Sequence, residues 1–248
     1  MASIPADRDS SRHIGYVALT FDDGPTPGST EALLEALVRA GARATMFTVG
    51  RNVEAHPELT RAQVEAGMWI ANHSWSHPHL PLLPEAEIDG EIARTQQVIR
   101  EVTGLTPELF RPPYLDTDAT VRAAQERHGL TEILADVDSV DWDGVSAEEI
   151  VASARRLRDG DVLLMHDWPP STIAAVPRIV AELTERGLRT GPICARTGRA
   201  IAPADAHPEH DADSRRTIVL ADADADAGAD AGADAGADAD ADARWVAR

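Results

Sequence analysis

The sequence predicts an α/β fold, a distorted and incomplete (β/α) barrel of about seven βα units. Three observations carry that expectation. Short apolar runs alternate with longer stretches of helical period. The runs are separated by turns rich in Gly, Pro and Asp, as strands and helices in βα units are. Polar residues capable of chemistry follow the ends of the apolar runs, where barrels of this kind place their sites.

Tyr16-Val17-Ala18-Leu19-Thr20-Phe21 reads as a buried strand, followed by a turn and a helix from Ser29 to Ala40. Ala44 to Val49 predicts a second strand, with a helix from near Pro57 to near Gly67 after it. Met68 to Ala71 is the third strand. Pro84 to Val102 is a long helix, because Ile88, Ile92, Val98, Ile99 and Val102 fall near one stripe. Leu109-Phe110 is short and extended because prolines follow. Asp118 to Arg127 is helical, Leu130 to Val137 is one extended run, and Ala147 to Leu157 is helical. Val162 to Met165 is a strand and Thr172 to Arg186 a helix.

The domain organisation follows from composition. Residues 1–13 form a polar extension, 14–202 the folded domain, and 203–248 a tail in which Asp and Ala alternate from Ala221 to Ala243. Such a tail buries nothing and repels itself, so disorder is expected there. The 43% hydrophobic content supports one sizeable core. The net charge of −19, with every base an Arg, repels phosphate backbones, so no nucleic acid partner is expected. No apolar run reaches the length of a membrane span, so no membrane partner is expected either. The single cysteine, Cys194, excludes a disulfide framework and a multi-cysteine zinc site, and reads as a small buried hydrophobe. No apolar leader precedes the first strand, so the sequence as it stands reads as cytoplasmic, or secreted if a longer N-terminus belongs to it. Nothing in the sequence specifies an oligomeric state.

Five strand ends deliver polar groups. Asp22-Asp23 follows the first strand, His73 and His77 the third, and Arg111 follows Leu109-Phe110. Asp138 and Asp141-Trp142 follow the run ending at Val137, and His166 follows Met165. Each has an ordinary explanation when taken alone. Asp-Asp-Gly is commonly a turn in which Gly takes the unusual angles, and His-x-x-x-His is commonly a polar helical face. Their convergence on one barrel mouth is what points to a site.

In this order the residues resemble the polysaccharide deacetylases, carbohydrate esterase family 4 with the NodB-homology fold. Thr20-Phe21-Asp22-Asp23-Gly24-Pro25, His73-Ser74-Trp75-Ser76-His77, Arg111-Pro112-Pro113-Tyr114, Asp138-Ser139-Val140-Asp141-Trp142 and Leu164-Met165-His166 look like its five motifs. The resemblance covers about residues 14 to 202 and is greatest to the actinobacterial acetylxylan esterases. It implies that Asp23, His73 and His77 bind one divalent metal, zinc foremost and cobalt as the alternative. A four-residue separation lets the two histidines converge if their segment makes a helical turn. His79, between Pro78 and Pro81, is expected to point elsewhere.

The resemblance further implies Asp22 as general base with Arg111 beside it. His166 is the implied general acid, oriented by Asp141, with Asp138 as second choice. The backbone N–H of Tyr114 becomes an oxyanion donor, and Trp142 and Leu164 wall an acetyl pocket. The implied substrate is an acetylated carbohydrate: O-acetyl xylan first, N-acetyl chitin oligomers, peptidoglycan or a small metabolite second, with a non-catalytic sugar-binding barrel as the reading of another class. Leu115 departs from the pattern, which has Gly there; it narrows the backbone angles available, so the loop is expected to differ.

Overall fold

The first strand, β1 (Gly15–Asp22), is buried on both faces, as its unbroken apolar run requires of a parallel-sheet strand. It belongs to a computed structural model that describes residues 15–205. Around it the chain runs α1 (Ser29–Arg39), β2 (Thr45–Thr48), α2 (Gly50–Ala55), α3 (Pro57–Glu65), β3 (Trp69–Asn72), α4 (Glu85–Thr103), β4 (Leu109–Phe110) and α5 (Ala119–Arg127). It continues through β5 (Thr131–Glu132), β6 (Val137–Asp138), α6 (Ala147–Ala154), β7 (Val162–His166), α7 (Pro170–Glu185) and β8 (Leu188–Thr190). The expected extension at 1–13 lies outside the described residues. So does the expected tail, apart from a 3₁₀ turn at Pro203–Asp205.

All strand pairs are parallel, in the order β5-β4-β3-β2-β1-β7-β6, with β8 on the first residues of β1. The run from Leu130 to Val137, expected as one extended piece, is instead two strands at opposite ends of the sheet. Five Cα steps separate Glu132 from Val137 and reach at most about 18 Å. Seven strands laid flat at about 4.8 Å spacing would put the end strands about 29 Å apart. The link can be made only because the sheet curls into an incomplete barrel, open between β5 and β6. The apolar pattern is continuous through this run and does not reveal that its two halves pair with different neighbours.

Side-chain alternation divides the strands into two faces. Val17, Leu19 and Phe21 of β1, with Met46, Leu163 and Met165, pack outward. They meet Leu33 and Leu37 of α1, Ile150 and Ala154 of α6, and Val176, Ile179 and Leu183 of α7. Ala18, Phe47, Ala71, Leu109, Ile133 and Val162 fill the barrel interior. Helix ends follow local sequence. Asp118 accepts from the Val121 N–H to start α5, and Ser146 with Glu149 forms a capping box at α6. The helix α2 and the strand β8 were not expected from sequence. Both are short, and short elements carry little periodicity. Cys194 is half-buried rather than buried. Among the described residues no helix is long and apolar enough to cross a membrane.

Candidate active site

The register of the sheet places the polar residues at one level. Asp22 lies opposite His166 across β1 and β7, and Thr48 opposite Asn72 across β2 and β3. His73 and Arg111 each continue the ladder by one bond, to the carbonyls of Thr48 and Asn72. The C-terminal strand ends thus bring Asp22, Asp23, His73, Arg111 and His166 to one mouth.

Asp23, His73 and His77 offer ligand atoms that all lie within 4.8 Å of one another. Oδ1 of Asp23 is 3.2 Å from Nε2 of His77 and 3.6 Å from Nε2 of His73. Tetrahedral metal–ligand bonds of about 2.0–2.1 Å give ligand–ligand edges of about 3.3 Å, so the spacing fits. Oδ1 of Asp23 is also buried with no hydrogen-bond partner, which is costly unless a cation sits beside it. Its other oxygen accepts from the indole of Trp168 at 3.1 Å. His73 Nδ1 lies 2.7 Å from the Arg111 carbonyl; a carbonyl only accepts, so the proton is on Nδ1 and the Nε2 lone pair faces the site. The residues present suit a divalent metal.

The His73–His77 segment is not the helical turn that would explain its spacing. Ser74 and His77 both have positive φ, 64° and 62°, and the chain loops back on itself. Two imidazoles meet because of this loop, with ring centroids 4.9 Å apart. In Asp22-Asp23-Gly24 the residue with positive φ is Asp23, at 78°, not the glycine. Gly24 is required for space, since a Cβ there would stand 2.3 Å from Oδ2 of Asp167.

Arg111 is wholly buried and donates to Oδ1 of Asp22 and to Oγ1 of Thr20, both at 2.7 Å. It also donates to the carbonyls of Ile133 and Leu134, at 3.1 Å each, and lies over the Phe47 ring at 4.1 Å. His166 Nδ1 lies 2.8 Å from Oδ1 of Asp141. Oδ2 of Asp141 takes the His166 backbone N–H and the Thr172 hydroxyl. Asp138 instead accepts from the Val140 N–H. Leu164 is buried on the interior face, while Trp142 and Tyr114 are exposed at the rim. His79 stacks on Tyr114 at 3.9 Å and faces Asp116, away from the ligand atoms. Leu115 keeps a left-handed backbone, φ 56°, after Tyr114 at φ 59°. Leu115 thus holds, at the cost of strain, a backbone conformation that glycine adopts freely.

Electrostatics set the protonation states. Burial opposes ionisation of Asp23, yet His73, His166 and His77 hold its carboxyl well below the usual range. His77 is pushed down to about 4 by burial and by His73, against the pull of Asp23 and Asp22. Its ring is therefore neutral at pH 7, as a group able to hold a metal must be. Burial pulls His166 down, but the Asp141 hydrogen bond and the charges of Asp23, Asp22 and Asp141 outweigh it and push its pKa up to about 9. Burial also lifts Asp167 to about 6, opposed by the hydroxyls of Thr30 and Thr26.

Sequence reasoning assigned no role to Thr20, Asn72, Glu91, Asp167, Trp168 or Thr172. Thr172 and Glu91 act from helices remote in sequence. Asp167 and Trp168 follow β7 directly, so their position at a strand end was the available signal.

The sequence profile of the family described as polysaccharide deacetylase matches residues 9–133, half of the chain. The chain belongs to the polysaccharide deacetylase family. A family 4 carbohydrate esterase from Streptomyces lividans, solved in complex with acetate, is 55% identical with a TM-score of 0.75, covering 76% of this chain and 98% of that one. The bifunctional xylanase/xylan deacetylase of Cellvibrio japonicus is 39% identical over 77% of this chain and 29% of its own length. The peptidoglycan-N-acetylmuramic acid deacetylase PdaC of Bacillus subtilis is 33% identical over 75% of this chain and 39% of its own. The chain thus spans well under half the length of these two curated relatives.

Proposed function

We propose that the chain is a metal-dependent carbohydrate deacetylase that hydrolyses O-acetyl esters, xylan being the substrate. The observation that carries this reading is the pair of fixed proton-transfer groups beside the Asp23, His73 and His77 cluster. Asp22 is held by Arg111, and His166 by Asp141.

A divalent metal held by Asp23, His73 and His77, zinc by the donor set, supplies Lewis acidity that makes water a better nucleophile near neutral pH. Asp22 takes the proton of the attacking water. Arg111 occupies one oxygen of Asp22, leaving the other to act as base. The backbone N–H of Tyr114 donates to the carbonyl oxygen as charge builds there. His166, protonated at neutral pH, gives its proton to the departing sugar oxygen. Leu164 and Trp142 contact the acetyl methyl group.

The ester reading is supported by the 55% identical Streptomyces esterase and by the Cellvibrio xylan deacetylase. A second reading, removal of N-acetyl groups, is favoured by the similarity to PdaC and draws on the same residues. The amide depends more on His166, because an amine anion leaves poorly. Acetate release from acetylated xylan and from chitin oligomers, each with chelator and with added zinc or cobalt, tests both. Release only from xylan and only with metal is expected. Activity unchanged by thorough chelation would sink the metal reading, and faster release from chitin oligomers the ester one.

A further inference from the structure

His77 owes its position to a loop, not to a regular element, and the polar groups that pin that loop converge on Glu91 of α4. Oε2 of Glu91 accepts the backbone N–H of Trp75 at 2.9 Å and of Ser76 at 2.7 Å. Its Oε1 accepts the Ser76 hydroxyl at 2.7 Å. The carbonyls of Ser74 and Trp75 are taken by the N–H groups of Gly50 and Arg51 in the first turn of α2. Asn72 Oδ1 accepts from the Ser74 N–H, and Ser74 Oγ from the His77 N–H. Two non-glycine residues in this loop, Ser74 and His77, hold positive φ, a conformation that persists only when surroundings over-determine it. Close packing adds to the constraint: a Cβ on Gly50 would stand 2.6 Å from both Thr95 Oγ1 and the Trp75 ring.

We infer that Glu91 is a positioning residue for the metal site. It locks the loop so that Nε2 of His77 stands beside Oδ1 of Asp23 before any cation arrives. Two consecutive N–H groups aimed at one carboxylate oxygen fix the peptide planes immediately before His77, and so fix where its side chain starts. Without that anchor the loop must be ordered by the metal itself, and affinity falls by the ordering cost. The inference rests on reading Asp23, His73 and His77 as ligands.

The test is zinc binding by isothermal titration, with the visible spectrum of the cobalt form as a second readout. Glu91→Ala and Glu91→Leu are compared with Glu91→Gln. Leu keeps the bulk, so it serves if the alanine variant fails to fold. Gln keeps an acceptor for the two N–H groups and can donate to the Ser76 hydroxyl. Loss of such supporting partners typically weakens metal binding by about 10–100-fold, and that loss is expected for Ala and Leu, with Gln near the wild-type value. The cobalt spectrum should change in Ala and Leu and be preserved in Gln. If Ala and Leu bind zinc as the parent does, with only the unfolding midpoint of the metal-free protein lowered, Glu91 is merely structural and the inference is overturned. Equal loss in Gln also overturns it. A parent protein that binds no zinc overturns the metal reading itself, which separates the two failures.

Discussion

Asp22 and Asp23 are neighbours with the same side chain, yet their surroundings give them different chemistry. Asp22 ends a strand, points into the barrel and meets Arg111 at 2.7 Å. Asp23 turns with positive φ and leaves one oxygen without a hydrogen bond among imidazoles. Asp22→Asn should therefore keep metal binding and lose turnover, by about 10²–10⁴-fold for a general base; acetate release and zinc titration on one sample check it. The role of His166 shows in its titration. Its raised pKa means that the charged form stabilises the fold, fully below its ordinary value of 6.5, with the contribution lost as pH rises through about 9. In metal-free protein, the ring signals of His166 in an NMR titration should shift with a midpoint well above 6.5. Asp141→Asn should bring that midpoint down, because burial then acts with less opposition. A midpoint unmoved by Asp141→Asn would show that the ring is not held charged by this contact. A cation on Asp23 weakens one of the charges that raise it, so the holoprotein should titrate lower than the metal-free form.

At the scale of elements, the site is built from short connections in strained conformations at the ends of well-packed strands. Val140 is the clearest case. It is β-branched, 37% exposed and held at φ 59° between β6 and the 3₁₀ turn Asp141–Asp143. Left-handed backbone costs such a residue about 1–3 kcal/mol, and little burial offsets it. Val140→Asn should raise stability by about 0.5–1 kcal/mol, since Asn tolerates this conformation; denaturant unfolding measures the change. A loss of stability would mean that the Val140 side chain has a packing role its exposure does not suggest. Leu115 carries the same kind of strain beside Tyr114, at the position where glycine was expected.

For the whole molecule, one residue bonds both to the site and to the link that closes the curled sheet. Arg111 extends from the end of β4 and reaches the link between β5 and β6 through two carbonyls, while its other contacts hold Asp22 and Thr20 of β1. Replacing it with Met leaves a buried carboxylate and two carbonyls without this donor. Such a broken buried pair costs about 3–5 kcal/mol, so Arg111→Met should lower the unfolding midpoint markedly as well as activity. A stable variant that has lost only activity would confine Arg111 to tuning Asp22.

The sequence by itself determined the βα alternation, most element positions, and the residue types and order of the groups at the barrel mouth. These follow from local rules: periodicity marks strands and helices, and chemistry collects after strand ends. Tertiary structure alone decided the contacts between residues far apart in the chain. Arg111 and Asp22 are 89 positions apart, and it is the fold that brings Asp141, the first choice ahead of Asp138, to the His166 ring. The two-part run from Thr131 to Asp138 and the loop that delivers His77 were also settled there. Pairing partners and positive-φ turns depend on which groups the closed sheet brings within bonding distance, and one-dimensional periodicity does not contain that information.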